Sequence, residues 1–163
     1  MSKKLESAFN KQINHELAAA YSYLAMAAWC EAENYQGFAK WFKVQHREEL
    51  KHAMKFYDHV MDRGGKVIFE ALAAPVATYK SPKHIFEAAL ALEQGNTKVI
   101  HALYEIALKE GDYAAQPTLH WFIDEQIEEE KSVGDIIALM DLAADNRSAI
   151  LMLNAKLGER AGE

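Results

Sequence analysis

Cysteine, proline and glycine are all scarce in this chain. Its 163 residues include one cysteine, three prolines and eight glycines. A single cysteine, Cys30, excludes an internal disulfide and agrees with a reducing compartment. Because residues that break helices are few, long helices are favoured, and most of the glycines and prolines fall where a helical pattern ends.

Long hydrophobic runs are also missing. No apolar stretch approaches the roughly 20 residues that span a bilayer, so no membrane association is expected. The first six residues include two lysines, but no apolar segment follows them as it would in a signal peptide. We therefore predict a cytoplasmic protein. The formal net charge of −6 disfavours nucleic acid as a partner and favours the attraction of cations.

Helical periodicity divides the chain into four long segments and a short fifth one. The first three segments cover roughly 5–33, 37–63 and 81–111. The fourth begins between 112 and 117 and is interrupted at Asp145-Asn146, and the fifth covers roughly 147–158. Gly64-Gly65 predicts the end of the second segment. Ser81 as N-cap and Pro82 as first helical residue predict the start of the third.

The stretch 65–81 has no helical period and is long enough to cross the whole bundle. A helix of about 28 residues is about 42 Å long, whereas 17 extended residues reach about 55 Å. The second and third helices should then run parallel. We predict an all-α single domain over 1–163: a four-helix bundle at about 5–143, with a long crossover between helices 2 and 3, and a short C-terminal fifth helix.

Four glutamates predict a metal site inside this bundle. Each lies within about one turn, roughly 3.6 residues, of the middle of its segment and on the apolar stripe: Glu16, Glu49, Glu93 and Glu129. His52 follows Glu49 at the i,i+3 spacing that lets one helix offer two ligands. Buried carboxylates need compensation, and oxygen ligands with one imidazole favour iron or manganese. The alternative is that these acids pair with Lys or Arg at the edge of the bundle.

A second acidic set lies next to these positions. It consists of Glu48, Glu125, Glu128 and Glu130. Glu48, Glu125 and Glu128 are displaced to the same side of the metal-bearing stripe, where they would flank an accessory cation site. Runs of acidic residues such as 128–130 are also typical of a solvated helix face, so both interpretations remain open.

At this point the chain resembles the ferritin family and, within it, the bacterial non-haem ferritins. The resemblance covers essentially the whole sequence. Its most specific stretches are Asn14-His15-Glu16-Leu17, Arg47–Ala53, Leu92-Glu93-Gln94 and Trp121–Lys131. Together these stretches match the family in both residue type and spacing between helices.

The resemblance implies a ferroxidase that stores iron. It would oxidise Fe(II) with O2 or H2O2 at a dinuclear iron centre and keep the ferric mineral inside a hollow homo-oligomeric shell of 24 subunits. Bacterioferritins have a methionine directly after the glutamate of the Glu-x-x-His pair. This chain has Leu50 there, so no haem is expected.

The resemblance also implies roles for individual residues. One iron site would use Glu16, Glu49 and His52. The second would share Glu49 and add Glu93 and Glu129, with Gln126 close by. A third iron site would use Glu48, Glu125, Glu128 and Glu129. Tyr23 would lie beside the centre and Trp121 near it, both as electron donors, although Trp121 also fits a buried aromatic of the bundle.

Three other interpretations fit less well. A rubrerythrin-like peroxidase or a manganese catalase would have a second Glu-x-x-His, where this chain has Gln126-x-x-Glu129. The mini-ferritins that protect DNA place their ligands differently and lack a fifth helix. A purely structural bundle, whose acids form salt bridges and nucleate mineral without oxidising iron, would not need the set formed by Glu16, Glu49 and His52.

Overall fold

Five helices make up the chain, for which the computed structural model describes residues 1–144 and 146–160. They are α1 (Lys3–Ala32), α2 (Gln36–Asp62), α3 (Pro82–Lys109), α4 (Gln116–Ala143) and α5 (Arg147–Leu157). The predicted all-α bundle with a long crossover and a short fifth helix is confirmed. Asp145 of the predicted interruption and residues 161–163 of the predicted domain lie outside the described residues. Within those described ranges, every helix is too short or too polar to cross a membrane.

The helix ends follow the local signals wherever the sequence provides them. The Ser81 hydroxyl accepts a hydrogen bond from the His84 backbone N–H at 3.1 Å, and Pro82 opens α3. Gly64, with φ of 68°, follows the end of α2. The start of α4 instead depends on tertiary contacts, because Asp112 both pairs with Arg63 and accepts from the Ala115 N–H. Local sequence signals are therefore not sufficient to locate the start of α4.

The crossover is fixed to α1 by two asparagine side chains. Asn10 donates to the Lys66 carbonyl at 2.8 Å and accepts from the Ile68 N–H at 2.6 Å. One turn later, Asn14 donates to the Ile68 carbonyl and accepts from the Glu70 N–H, both at 2.8 Å. The side-chain amides thus replace the backbone partners that an extended segment lacks when it has no neighbouring strand.

A buried polar layer separates the apolar core into two clusters. One cluster includes Tyr23, Phe42 and Phe86, and the other includes Phe56 and Phe122, whose rings stack at 3.7 Å between centroids. The polar layer consists of Gln12, Glu16, Gln45, Glu49, His52, Glu93, Asn96, Gln126 and Glu129. The two clusters supply the hydrophobic stabilisation that lets this layer stay away from water.

Helix α5 packs on the first turns of α2 at a position that only glycine allows. The Asn154 side-chain oxygen accepts a hydrogen bond from the Phe38 N–H at 2.9 Å. A Cβ atom added to Gly37 would lie 1.7 Å from the Asn154 carbonyl oxygen, which is far inside van der Waals contact. The direct approach of the two backbones therefore sets the position of α5.

We expect Gly37→Ala to displace α5 and to lower the free energy of unfolding by about 1–3 kcal/mol, the usual cost of overpacking. Gly134→Ala is the matched control, since nothing lies within 4 Å of its added Cβ and it sits inside α4. That change should stabilise by about 0.5–1 kcal/mol. Melting temperatures measured by circular dichroism test the pair. A Gly37→Ala protein as stable as the Gly134→Ala protein would contradict the close contact.

Candidate metal centre

The four glutamates predicted to face the interior are all buried. The exposed fractions are 0% for Glu16, 1% for Glu49, 1% for Glu93 and 6% for Glu129. Each comes from a different helix of the bundle. The placement predicted from helical periodicity is therefore what the fold shows.

Glu16, Glu49 and His52 form the tightest group of potential ligands. One atom of each residue lies within 4.8 Å of the others, and His52 Nδ1 is 3.5 Å from Glu49 Oε2. Both carboxylate oxygens of Glu49 are buried without a hydrogen-bond donor. An ionised carboxylate without donors is costly to bury. A bound cation would satisfy these two oxygens, and the oxygen-rich donor set suits iron or manganese.

Glu93 and Glu129 lie in the same layer but make other contacts. Glu93 accepts hydrogen bonds from the Tyr23 hydroxyl and, at 3.3 Å, from the Gln126 amide. Glu129 Oε2 accepts from the Gln45 amide at 2.7 Å. Neutral donors therefore hold these two carboxylates in place, whereas Glu49 has no such donor.

The close packing of carboxylates raises their pKa values. Burial is the largest cause at every position, and repulsion between neighbouring acids adds to it. The pKa values of Glu16 and Glu49 lie well above the ordinary range, and those of Glu93 and Glu129 rise to about 7. Protonation relieves part of this repulsion, and a bound cation would relieve it further.

Side-chain amides that the sequence analysis did not assign support the ligands. Gln12 donates to Glu16 Oε1 and to Asn96 Oδ1, both at 2.7 Å. Asn96 in turn donates to Glu16 Oε2 and to Gln126 Oε1 at 3.3 Å. Gln12 and Asn96 each lie about one turn from a glutamate of their own helix. An amide residue three or four positions from a predicted ligand is therefore the sequence pattern that could have identified them.

His52 also faces a second acidic group. Its Nε2 lies 3.8 Å from Glu125 Oε1, and His52, Glu125 and Glu129 each offer an atom within 4.8 Å of the other two. Two of the four acids of the expected third site, Glu125 and Glu129, are thus brought together beside the first group.

The other members of the acidic set make different contacts, although Glu48 lines the same groove as His52 and Glu125. Glu48 accepts from Arg160 at 2.8 Å, and Glu128 is exposed. Glu130 faces α3, where it accepts a hydrogen bond from the Thr97 hydroxyl at 2.5 Å. The structure therefore separates Glu128 and Glu130 from the His52 group, and the assignment of Glu128 as a ligand stays a prediction.

The two aromatic residues singled out in the sequence differ in their surroundings. Tyr23 is fully buried, and its hydroxyl donates to Glu93. Trp121 is 37% exposed, so its interpretation as a buried aromatic of the bundle is wrong. Its ring lies 5.6 Å from that of His52, with Lys55 Nζ 3.9 Å above it. Both Trp121 and His52 line a groove of about 530 Å³ between α2 and α4.

Comparisons with known proteins identify the family of this chain. The Ferritin family, described as the ferritin-like domain, matches residues 6–143. The bacterial non-heme ferritin of Staphylococcus aureus (strain USA300) is 40% identical over 160 residues, 98% of this chain and 96% of the relative. That of Staphylococcus haemolyticus (strain JCSC1435) is 39% identical over 161 residues, 99% and 97% of the two chains.

Two solved structures are similar over nearly their full length. A humanized archaeal ferritin superposes with a TM-score of 0.98 at 39% identity, covering 100% of this chain and 99% of that one. An open pore ferritin from the hyperthermophilic archaeon Archaeoglobus fulgidus gives a TM-score of 0.97 at 40% identity, with 99% of both chains covered. The similarity therefore extends over essentially the whole fold.

The raised carboxyl pKa values predict how the stability of the metal-free protein depends on pH. A carboxyl with a raised pKa binds its proton more tightly in the fold than in the unfolded chain. Its contribution to stability is therefore lost as pH rises from the ordinary value of 4.5 through about 7 for Glu93 and Glu129. We expect the free energy of unfolding to fall by about 1–3 kcal/mol over this range, as denaturant titrations would measure.

Glu129→Gln serves as the control, because the free energy of unfolding of that variant should fall less over the same pH range. It also separates the acids from His15 and His59, whose pKa values are lowered by burial and whose contribution has the opposite sign. Excess Zn²⁺ should abolish the loss, since the metal binds the ionised carboxylates. If the free energy of unfolding depended on pH equally in the metal-free wild-type and Glu129→Gln proteins, the assignment of this dependence to the buried carboxyls would be contradicted.

Proposed function

Because the chain belongs to the ferritin family, we propose that it stores iron after oxidising Fe(II) to Fe(III) at a dinuclear centre. The observation that carries this proposal is the pair of Glu49 oxygens, buried without a hydrogen-bond donor beside Glu16 and His52. Relatives of the same length are named bacterial non-heme ferritins. The substrates would be ferrous ion together with O2 or H2O2, and the protein would act in the cytoplasm.

In this proposal the buried layer holds two ferrous ions. Glu16, Glu49 and His52 bind one of them, and Glu49 bridges to the other, which is held by Glu93 and Glu129 with Gln126 close by. Glu49 suits the bridging role because neither of its oxygens is committed to a protein donor. Tyr23 holds Glu93 in place through its hydroxyl.

The proposed reaction transfers two electrons at once. Two Fe(II) ions become two Fe(III) ions, and O2 takes both electrons and two protons to form H2O2. With H2O2 as the oxidant, the same two electrons and two protons form two water molecules. Anionic carboxylates stabilise the ferric products because hard oxygen ligands prefer the ion of higher charge. Hydrolysis of Fe(III) then releases protons as the mineral forms.

Storage of a mineral requires an enclosed volume that one bundle does not provide. We propose a shell of 24 copies with octahedral symmetry, with the fifth helices meeting at the four-fold axes. Leu151 and Met152 of α5 are 56% and 74% exposed in the single chain, although a short helix gains little stability without packing. Contacts with neighbouring copies would bury them.

An accessory iron site next to the centre completes the proposal. His52, Glu125 and Glu129 can share a cation, and the resemblance adds Glu48 and Glu128. Of these acids, Glu48 and Glu125 line the groove between α2 and α4 that Trp121 also lines. An ion that leaves the dinuclear centre would meet this group on its way out of the bundle.

Glu49→Ala should remove the fast oxidation of iron, because the change deletes the only carboxylate proposed to touch both ions. Stopped-flow absorbance in air, at two ferrous ions per chain, measures the rate. The wild-type protein should show a rapid phase that saturates near two or three ions per chain. The variant should oxidise iron no faster than the protein-free solution.

Glu105→Ala is the matched control, since Glu105 is an exposed acid on α3 that pairs, within the described part of the chain, with Lys109 one turn later. It should oxidise iron at the wild-type rate. Size-exclusion chromatography establishes that all three proteins assemble equally. Wild-type rates in the Glu49→Ala protein would remove the argument for a dinuclear centre.

Glu125→Gln should leave the oxidation of the first two ferrous ions intact while lowering the number consumed in the rapid phase, or slowing repeated turnover. The reason is that Glu125 contributes to the accessory group but not to the buried layer. Stopped-flow titration from one to four ions per chain measures both quantities. Glu128→Gln, tested in parallel, decides whether that exposed residue is a ligand. If neither variant changes stoichiometry or turnover, the acidic run is a solvated helix face.

A further inference from the structure

Arg160 reaches the accessory acidic group from beyond the end of α5. Its Nη2 donates to Glu48 Oε2 at 2.8 Å, and its Nη1 donates to Gln45 Oε1. The guanidinium carbon lies 5.1 Å from the ring centroid of Trp41, close enough for a cation–π contact. The side chains of Arg160 and Glu48 are 28% and 18% exposed, so water only partly screens this pair.

The contacts of α5 hold Arg160 at this position. Asn154 accepts from the Phe38 N–H at 2.9 Å, and Lys40 Nζ donates to the Gly158 carbonyl at 2.7 Å. Two residues beyond Gly158, Arg160 contacts Gln45 and Glu48. On α2, Gln45 lies about one turn before Glu49, and Glu48 directly precedes Glu49. The direct backbone contact at Gly37 thus determines where the guanidinium lies.

Arg160 also determines which way the Gln45 amide points. A guanidinium can only donate hydrogen bonds, so the amide oxygen of Gln45 must face it. The amide nitrogen is then directed at Glu129 Oε2, to which it donates at 2.7 Å. If the amide were reversed, its oxygen would face the carboxylate and its nitrogen the guanidinium, and both contacts would be repulsive.

We infer that Arg160 is a positioning residue that acts as a built-in counter-cation for Glu48 and competes with a divalent cation for that carboxylate. This inference rests on the accessory cation site proposed above. While the site is empty, Arg160 neutralises Glu48 and holds Glu129 in place through Gln45. A cation that binds Glu48 displaces the guanidinium, which frees the Gln45 amide next to Glu129. Filling of the accessory site is thereby coupled to a ligand of the dinuclear centre.

Titration of the metal-free protein with Zn²⁺ in a calorimeter tests this competition without any oxidation of metal. Arg160→Ala should increase the affinity of the weakest-bound Zn²⁺ ion by about three- to tenfold, the scale expected for loss of a half-buried charged competitor. Arg160→Lys should lie near the wild-type value, because it keeps the charge although it loses the two-pronged contact. Arg160→Gln should behave like the alanine variant.

Lys156→Ala is the matched control, since it removes an equal charge from an exposed position of α5. It should bind Zn²⁺ like the wild-type protein. In a Glu48→Gln background, Arg160→Ala should have a much smaller effect, because the contested carboxylate is gone and only the contact through Gln45 remains. Anomalous scattering from Zn²⁺-loaded crystals should show the guanidinium moved away from Glu48.

Three results would overturn the inference. The first is that Arg160→Ala changes the Zn²⁺ affinity no more than Lys156→Ala does. The second is that Arg160→Ala has the same effect whether residue 48 is Glu or Gln. The third is that only two Zn²⁺ ions bind per chain, both in the wild-type protein and in Arg160→Ala. Failure of the proposed function is distinguishable from these. A protein that shows the expected Zn²⁺ competition but oxidises iron at the protein-free rate would support the role of Arg160 and refute the ferroxidase proposal.

Discussion

The repulsion among four buried carboxylates is the constraint on which the rest of this structure depends. Glu16, Glu49, Glu93 and Glu129 lie in one layer, each from a different helix, and burial and mutual proximity raise the pKa values of all four. Such a layer destabilises a bundle unless protons or cations neutralise it. The apolar clusters on either side supply the stability that keeps the helices together when no cation is bound to the layer.

Neutral amides keep this layer ordered without competing for the metal. Gln12, Asn96, Gln126 and Gln45 each donate to a carboxylate of the layer. A lysine or arginine in their place would satisfy the same oxygens, but its charge would take the place of the cation. Amides orient the carboxylates while leaving their negative charge uncompensated. Glu49, which has no donor, is then the carboxylate with most to gain from a bound ion.

Much of the layer could be predicted from sequence because helical periodicity alone assigns Glu16, Glu49, Glu93 and Glu129 to the interior at a shared depth. The long crossover followed from chain length, but its path along Asn10 and Asn14 did not, since that path depends on side-chain contacts between distant segments. Arg160 gave no signal either, because it lies beyond the last helix and reaches Glu48 only through the packing of α5 on α2. Local patterns indicate which face is buried, whereas contacts between segments far apart in sequence require the folded structure.

In the proposed mechanism, the two halves of the centre differ in a way that would give iron a direction of movement. The first site has Glu16, Glu49 and an imidazole. In the second, Gln126, a neutral amide already bonded to Glu93, stands where a symmetrical site would have a glutamate, and Glu129 stands where it would have a histidine. The proposed second site includes Glu129, which also belongs to the group formed with His52 and Glu125. A ferric ion held there can exchange one set of carboxylates for the next without crossing an apolar region. Since charge on Glu48 adds to the repulsion at Glu129, whatever neutralises Glu48, a guanidinium or an iron ion, also influences how readily Glu129 releases its metal.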